Sequence, residues 1–166
     1  GDVCADVPTI TLYFMASDLS LCEGETNATL AFSEEDADSY TIDFTDVDFT
    51  DVSATELNYA PETPGTIALV IPGDAAPGIY EGNVLTVTNI CGFKTQYFFD
   101  IVVNAPPTAT IIGETQVCEG ASTTLDASGD GTYLWSDLST GESLTVSPTV
   151  TTTYTLTVTS ATGCIG

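Results

Sequence analysis

The chain has 166 residues, 43% of them apolar, and carries 24 acidic residues against a single basic one, Lys94, with no histidine. Its formal charge of −23 excludes nucleic acid and anionic membrane surfaces as partners, because both would repel it. Without His or Arg the chain lacks the commonest general base, the commonest zinc ligand and the bidentate phosphate clamp. Serine and cysteine hydrolase triads of the usual kind are therefore excluded, and we expect no enzyme activity.

The apolar residues follow the pattern of strands. Thr, Val, Ile, Tyr and Phe cluster in short runs that alternate with polar residues, which is typical of half-buried strands, and the 14 Gly and 8 Pro residues indicate many turns. No apolar run approaches the ~20 residues that a membrane-spanning helix needs, so we expect no membrane insertion. The composition predicts an all-β protein.

The stretch DFTDVDFTDV, which runs from Asp43 to Val52, is a five-residue unit written twice. As a single strand it would have no consistently apolar face, so we expect the chain to bend near Asp46. Before that bend, Tyr40, Ile42 and Phe44 form an inward face.

The bend is surrounded by carboxylates. Asp46 and Asp48 lie at the predicted corner, and Asp36 and Asp38 precede it within SEEDADS. Calcium prefers several oxygen ligands and tolerates irregular loops, so these four residues are candidate calcium ligands, although their spacing matches no calcium-binding motif. A solvated acidic face that protects a sheet edge from wrong pairing explains the same residues.

Later in the chain the alternation is clearer. In the run from residue 93 to 104 one face carries the apolar residues Phe93, Tyr97, Phe99, Ile101 and Val103. Asn104-Ala105-Pro106-Pro107 ends this strand as a short, stiff linker. Beyond the linker, the segments TYLWS and TYTLTVT predict two more strands, with Trp135 in the core.

The two parts of the chain begin and end alike. Leu21-Cys22-Glu23-Gly24 corresponds to Val117-Cys118-Glu119-Gly120, and the segment LTVT at 85–88 recurs at 156–159. PTITL at residues 8–12 similarly corresponds to PTATI at 107–111. This repeat predicts two tandem immunoglobulin-like β-sandwich modules, residues 8–106 and 107–166, after an N-terminal extension or donor strand at residues 1–7.

The five cysteines are too far apart for a CxxC metal site. Their spacing within each module predicts the disulfides Cys22–Cys91 and Cys118–Cys164, which leave Cys4 over. The alternative is that these four residues are buried free thiols. Disulfides in a strand-rich, acidic chain favour an extracellular location.

The second module resembles a known repeat type. VCEG, YLWS, SPTVTTTYTLTVT and a closing GC are similar to the Ig-like or PKD-like repeats of very large secreted surface proteins of Bacteroidota, and the likeness covers most of residues 107–166. Module 1 matches more loosely. The resemblance implies a cell-surface location, often reached by type IX secretion, a role in adhesion, gliding or surface filaments, and no active site.

The modules differ at their ends. Module 1 continues beyond Cys91 for a further strand, whereas module 2 stops two residues after Cys164, so the second sandwich is predicted to lack its last strand. Residues 1–7 occupy the place where a preceding module's last strand would lie. We expect them to complete module 2 of an adjacent copy, with Val3, Cys4 and Val7 at the intermolecular contact. The alternative is a fragment of a longer chain.

The function expected from the sequence is that of an extracellular structural or adhesive module, and one alternative function is considered beside it. The first choice is a subunit or repeat of a filament that assembles head-to-tail with copies of itself. The alternative is a carbohydrate- or protein-binding module of a large tandem adhesin or secreted enzyme, in which surface glycans are the partners and exposed aromatics such as Tyr59 are contacts. No cofactor is expected apart from the calcium considered above.

Calcium provides the test of the acidic cluster. If Asp36, Asp38, Asp46 and Asp48 hold the ion, calcium at 100 times its dissociation constant stabilises the fold by about 2.7 kcal/mol, which raises the melting temperature by a few degrees. The measurement is thermal unfolding in millimolar calcium, with equal magnesium as the control. Equal melting temperatures in the two salts would leave the solvated acidic face as the explanation.

Overall fold

The structure, a computed structural model, describes residues 9–12, 19–35, 39–45, 49, 52–54, 65–88 and 91–166. These residues form thirteen strands, and the fold is all-β as predicted. No helix among them is long and apolar enough to cross a bilayer. The chain divides into two compact units, Gly1–Asn104 (unit 1) and Ala105–Gly166 (unit 2). The sequence had placed this boundary between Pro106 and Pro107.

Unit 1 is a sandwich of two sheets. Its strands are β1 (Thr9–Leu12), β2 (Leu19–Cys22), β3 (Asn27–Glu35), β4 (Ser39–Asp43), β5 (Val52–Ala54), β6 (Gly65–Val70), β7 (Gly78–Thr88) and β8 (Lys94–Asn104). One sheet has the order β1-β3-β6 and the other the order β2-β8-β7-β4-β5. Neighbours are antiparallel except β2 and β8, which run parallel. This division into two mostly antiparallel sheets is the immunoglobulin-like architecture.

The core of unit 1 lies between these sheets. Leu30 and Leu69 come from the three-stranded sheet, and Ile42, Leu85 and Phe99 come from the five-stranded one. All five are buried because alternate residues of each strand face inward. The predicted inward faces of β4 and β8 are therefore confirmed for Ile42 and Phe99.

The start of β8 differs from the prediction. Phe93, which was assigned to the inward face, is half exposed and precedes the strand. Gly92 has a φ of 83°, a turn conformation that places Phe93 outside the ladder. Tyr97 and the inward residues that follow it do pack against the core.

A bulge in β7 brings a buried polar residue into the sandwich. The register shifts between Tyr80 and Asn83, and Gly82 within the bulge has a φ of 76°. The Asn83 amide donates to the Tyr80 carbonyl at 2.9 Å and accepts from the Thr45 N–H at 3.3 Å. These bonds offset the cost of burying the amide.

Unit 2 is smaller. Its strands are β9 (Thr110–Gly113), β10 (Thr123–Ser128), β11 (Thr132–Trp135), β12 (Ser143–Val146) and β13 (Leu156–Thr159). They form the sheets β12-β10-β9 and β11-β13, so the second sheet has only two strands. Leu125, Trp135, Leu144 and Val146 make the buried core between the sheets, with Leu156 packed against it.

Trp135 anchors unit 2, as the sequence predicted. It is almost fully buried, and its Nε1–H donates to the Gly141 carbonyl at 2.9 Å. The turn that follows is tied back to it, because the Trp135 N–H donates to the Ser139 carbonyl at 2.9 Å. In this turn the Ser139 hydroxyl and N–H both donate to Asp137, which lowers the pKa of that carboxyl below its usual value.

The predicted cysteine pairs are wrong. Cys22, Cys91 and Cys164 are disulfide-bonded, whereas Cys118 is an exposed free thiol. The predicted Cys118–Cys164 bridge is therefore not formed. Cys118 lies near the start of β10, and Cys164 follows the end of β13, at the opposite end of the sandwich.

The same geometry excludes a bond between Cys22 and Cys91. Cys22 is level with Asn104 at the end of β8, whereas Cys91 precedes Lys94 at its start. Ten residues of extended strand separate these positions by roughly 33 Å. A disulfide holds its Cα atoms within about 7 Å. Sequence spacing could not show that Cys22 and Cys91 lie at opposite ends of β8.

The tryptophan gives a stability prediction for unit 2. Trp135→Ala should cost about 3–5 kcal/mol, because it removes a large buried ring and leaves the Gly141 carbonyl without its donor. The neighbouring Leu134→Ala, at a half-exposed site, should change stability by only about 0.5 kcal/mol. Differential scanning calorimetry of the two variants measures the difference, and equal losses would show that Trp135 does not anchor the unit.

Candidate functional site

The end of β13 turns sharply back on itself. The Ser160 N–H donates to the Cys164 carbonyl at 2.9 Å, and Gly163 adopts a φ of 87° within the turn. After this reversal Ile165 pairs with Thr159. Gly166 and Val158 exchange two backbone hydrogen bonds, of 2.9 and 3.1 Å. Ile165 and Gly166 thus begin an antiparallel strand beside β13.

The remaining residues of β13 alternate between its two edges. The Ser136 N–H donates to the Thr155 carbonyl, so Thr155 and every second residue after it face β11. Val158 faces the other edge, where it bonds Gly166, and by the same alternation the N–H and C=O of Leu156 point there too. Among the residues of unit 2, no strand pairs with Leu156 on that edge.

A cleft of about 300 Å³ lies beside the three-stranded sheet of unit 2. Leu125 and Val146 come from that sheet, and Tyr154 precedes β13; the remaining lining residues are Ile111, Gly113, Glu114, Thr115, Val117, Thr123, Pro148 and Thr152. The interior of the cleft is thus largely apolar with a polar rim. It is suited to hold apolar side chains.

One wall of the cleft is a segment that has a strand counterpart in unit 1. Residues 115–118 correspond to β2 once VCEG is matched to LCEG, yet they form no strand. In unit 1, β8 pairs with β2, and Leu21 of β2 is 7% exposed. Val117, at the equivalent place in unit 2, is 36% exposed.

Several predicted site residues fall elsewhere. Val3, Cys4 and Val7 lie outside the described residues, as do the calcium candidates Asp36, Asp38, Asp46 and Asp48, and the aromatic Tyr59. Among the residues that are described, no group of three or more His, Cys, Asp or Glu side chains is placed to hold a metal ion. The calcium site stays a prediction.

Residues 115–118 were not predicted to contribute to a site. The signal was present in the repeat, since Thr115 and Val117 align with Leu19 and Leu21 once VCEG is matched to LCEG. A further feature that the sequence analysis missed is Phe98, whose side chain is 62% exposed on the outer face of the five-stranded sheet of unit 1.

Polar groups surround Phe98 on that face. It is paired with Val84, and Gln96 and Asp100 flank it along β8. The Gln96 amide approaches the Thr86 hydroxyl at 3.4 Å, and one Asp100 oxygen accepts from the Gly82 N–H at 3.0 Å. The second Asp100 oxygen and the Gln96 carbonyl provide further hydrogen-bonding capacity beside an exposed ring.

No family model and no curated protein matches the chain. Among solved structures, it is similar to Bacteroides ovatus mixed-linkage glucan utilization locus SGBP-B in complex with a mixed-linkage heptasaccharide, with 18% identity and a TM-score of 0.38 over 96% of this chain. The chain spans 45% of the length of that protein.

Two other solved structures are similar at the same level. Domains A168–A170 of titin give 13% identity and a TM-score of 0.41, over 94% of this chain and 61% of theirs. Carbohydrate-binding modules from the β-sandwich superfamily give 16% identity and a TM-score of 0.39, over 91% of this chain and 78% of theirs. These likenesses concern the β-sandwich fold alone.

Proposed function

We propose that the protein is a non-enzymatic, extracellular structural and adhesive module that assembles head-to-tail with copies of itself by strand complementation. Residues 1–7 of one copy supply the strand that unit 2 of the next copy receives. Such a contact joins two different surfaces and does not close on itself, so it generates filaments. A surface adhesin or filament protein of Bacteroidota is the class that fits this assembly.

The sandwich architecture is the observation that carries this proposal. Both units bury an apolar core between β-sheets, and three of the described cysteines are disulfide-bonded, which suits a structural module. Strand addition at a sheet edge supplies main-chain hydrogen bonds for affinity and side-chain pockets for specificity.

The chemistry of the chain supports an extracellular location. Three of the cysteines that the structure describes are disulfide-bonded, and such bonds persist in oxidising compartments. The formal charge of −23 keeps neighbouring chains apart laterally, which favours contacts made through a specific backbone-paired site over unspecific clumping.

Deletion of residues 1–7 tests the assembly. The 166-residue chain, purified without reductant, should form filaments in electron micrographs, and the deletion variant should remain dispersed because no donor strand is left. Sedimentation velocity quantifies both states.

Asp2→Asn together with Asp6→Asn is the matched control for the deletion. It keeps the length, the apolar residues and the cysteine of the segment, so filaments of this variant would assign assembly to the strand. Filaments that form equally well after deletion of residues 1–7, or a 166-residue chain that stays dispersed, would refute strand complementation.

A second candidate function is the binding of a neutral glycan on the outer face of unit 1, which the surroundings of Phe98 favour. An exposed ring on a flat sheet can stack against a sugar, and the Gln96 amide and the free Asp100 oxygen can bond its hydroxyl groups. The net negative charge of the protein selects against anionic glycans.

Phe98→Ala should therefore weaken binding to a neutral polysaccharide by about tenfold, the worth of one aromatic contact. Ile79→Ala, which removes a similarly exposed apolar side chain from β7, is the matched control and should bind as the original chain does. Isothermal titration calorimetry against a panel of neutral polysaccharides measures the affinities. Equal affinities of the two variants would exclude Phe98 as the contact.

A further inference from the structure

The outer face of the five-stranded sheet of unit 1 has an ordered layout around Phe98. The register places Asp43 of β4 opposite Val84 of β7, and Val84 opposite Phe98 of β8. They share the outer face, because the adjacent residues Ile42 in β4 and Phe99 in β8 are buried in the core. The three residues therefore form one row across the strands, called the stacking row below.

A polar row runs beside the stacking row. Thr41 of β4 pairs with Thr86 of β7, and Thr86 pairs with Gln96 of β8, so this row lies two residues away along each strand. Thr41 and Gln96 are exposed. The Gln96 amide donates to the Thr86 hydroxyl at 3.4 Å. The Thr41 hydroxyl and the Gln96 amide thus bring hydrogen-bond donors and acceptors to one side of the stacking row.

The neighbours of the Phe98 ring differ along the strand and across it. Along β8 the ring is flanked on the outer face by Gln96 and Asp100, each about 7 Å away. Both carry polar groups. Across the sheet its neighbour Val84 is apolar and half-buried. The apolar face of a ligand stacked on Phe98 therefore continues over Val84, because this path desolvates no polar group.

The stacking row is wide enough for a short oligosaccharide. Neighbouring strands lie about 4.8 Å apart, so the backbones of Phe98 and Asp43 are separated by about 10 Å. In an extended glycan each pyranose ring advances the chain by about one strand spacing. Three consecutive sugars therefore reach from the Phe98 ring over Val84 to the Asp43 carboxylate.

We infer that the outer face of unit 1 binds an unbranched, extended, neutral glycan of at least three sugars, which lies across β8, β7 and β4. This inference rests on the second candidate function and names its substrate class. The first sugar stacks on Phe98 and the second packs on Val84. The third donates hydroxyl hydrogen bonds to the exposed carboxylate of Asp43.

Gln96 and Asp100 make the site selective for unbranched chains. One Asp100 oxygen accepts from the Gly82 N–H at 3.0 Å, which fixes the carboxylate beside the ring of Phe98. The second oxygen accepts from a hydroxyl on one edge of the stacked sugar, and Gln96 bonds the opposite edge. A branch on either edge would displace these hydrogen bonds and leave a polar group covered without a partner.

The dependence of affinity on chain length tests the placement of the glycan. Linear β-1,4-linked oligosaccharides of glucose, mannose and xylose, with two, three or four sugars, are titrated into the 166-residue chain by isothermal titration calorimetry. In a series that binds, the third sugar should raise the affinity about tenfold, because it adds the hydrogen bonds of Asp43, and the fourth should add little. A branched oligosaccharide with the same backbone should bind about tenfold more weakly than the linear one.

Asp43→Ala tests the far end of the row. It should lower the affinity for the trisaccharide about tenfold, to that of the disaccharide, and leave the affinity for the disaccharide unchanged. Asp74→Ala removes an equally exposed carboxylate from the turn between β6 and β7, and this matched control should bind as the original chain does. Both positions are exposed, so neither change should disturb folding, which calorimetry verifies.

The outcomes separate this inference from the proposed function. Binding that is weakened by Phe98→Ala but depends neither on a third sugar nor on Asp43 would overturn the placement across the strands and leave glycan binding intact. Equal effects of Asp43→Ala and Asp74→Ala would also overturn that placement. Equal affinities for branched and linear chains would overturn the role of Gln96 and Asp100. If no series binds, or if Phe98→Ala binds as the original chain does, the glycan function falls together with this inference.

Discussion

The two-sided pairing of β8 is the constraint on which the sandwich of unit 1 depends. This strand satisfies the backbone groups of β2 and β7 and also supplies Phe99 and Ile101 to the core. One strand thus contributes both hydrogen bonding and apolar burial, so a change that displaced β8 would remove both together.

The sequence predicted the fold class and much of the core because these follow from local alternation. Ile42, Phe99 and Trp135 could be placed inward from their neighbours alone, and all three are buried. Phe93 could not, because the conformation of Gly92 decides where β8 begins. Alternation shows which face a residue takes within a strand, but a turn decides whether the residue belongs to that strand.

The cysteine pairing and the correspondence of residues 115–118 to β2 depend on long-range topology, which spacing does not contain. Cys22 and Cys91 belong to one repeat, yet β8 holds them at its two ends. The wall formed by residues 115–118 is likewise recognisable only when the parallel pairing of β2 with β8 is known. The repeat nevertheless carried useful information, since it matches Thr88 with Thr159 and so makes unit 1 a template for unit 2.

The parallel ladder between β2 and β8 has a mechanical consequence. These strands lie near the beginning and at the end of unit 1, and Leu19 to Cys22 pair with Ile101 to Asn104. Tension along the chain pulls parallel strands in opposite directions, so the bonds of this ladder are loaded in shear. They must then break together, whereas an antiparallel hairpin pulled from its open end would unzip one bond at a time. The short ladder therefore makes unit 1 resistant to stretching forces out of proportion to its four residue pairs.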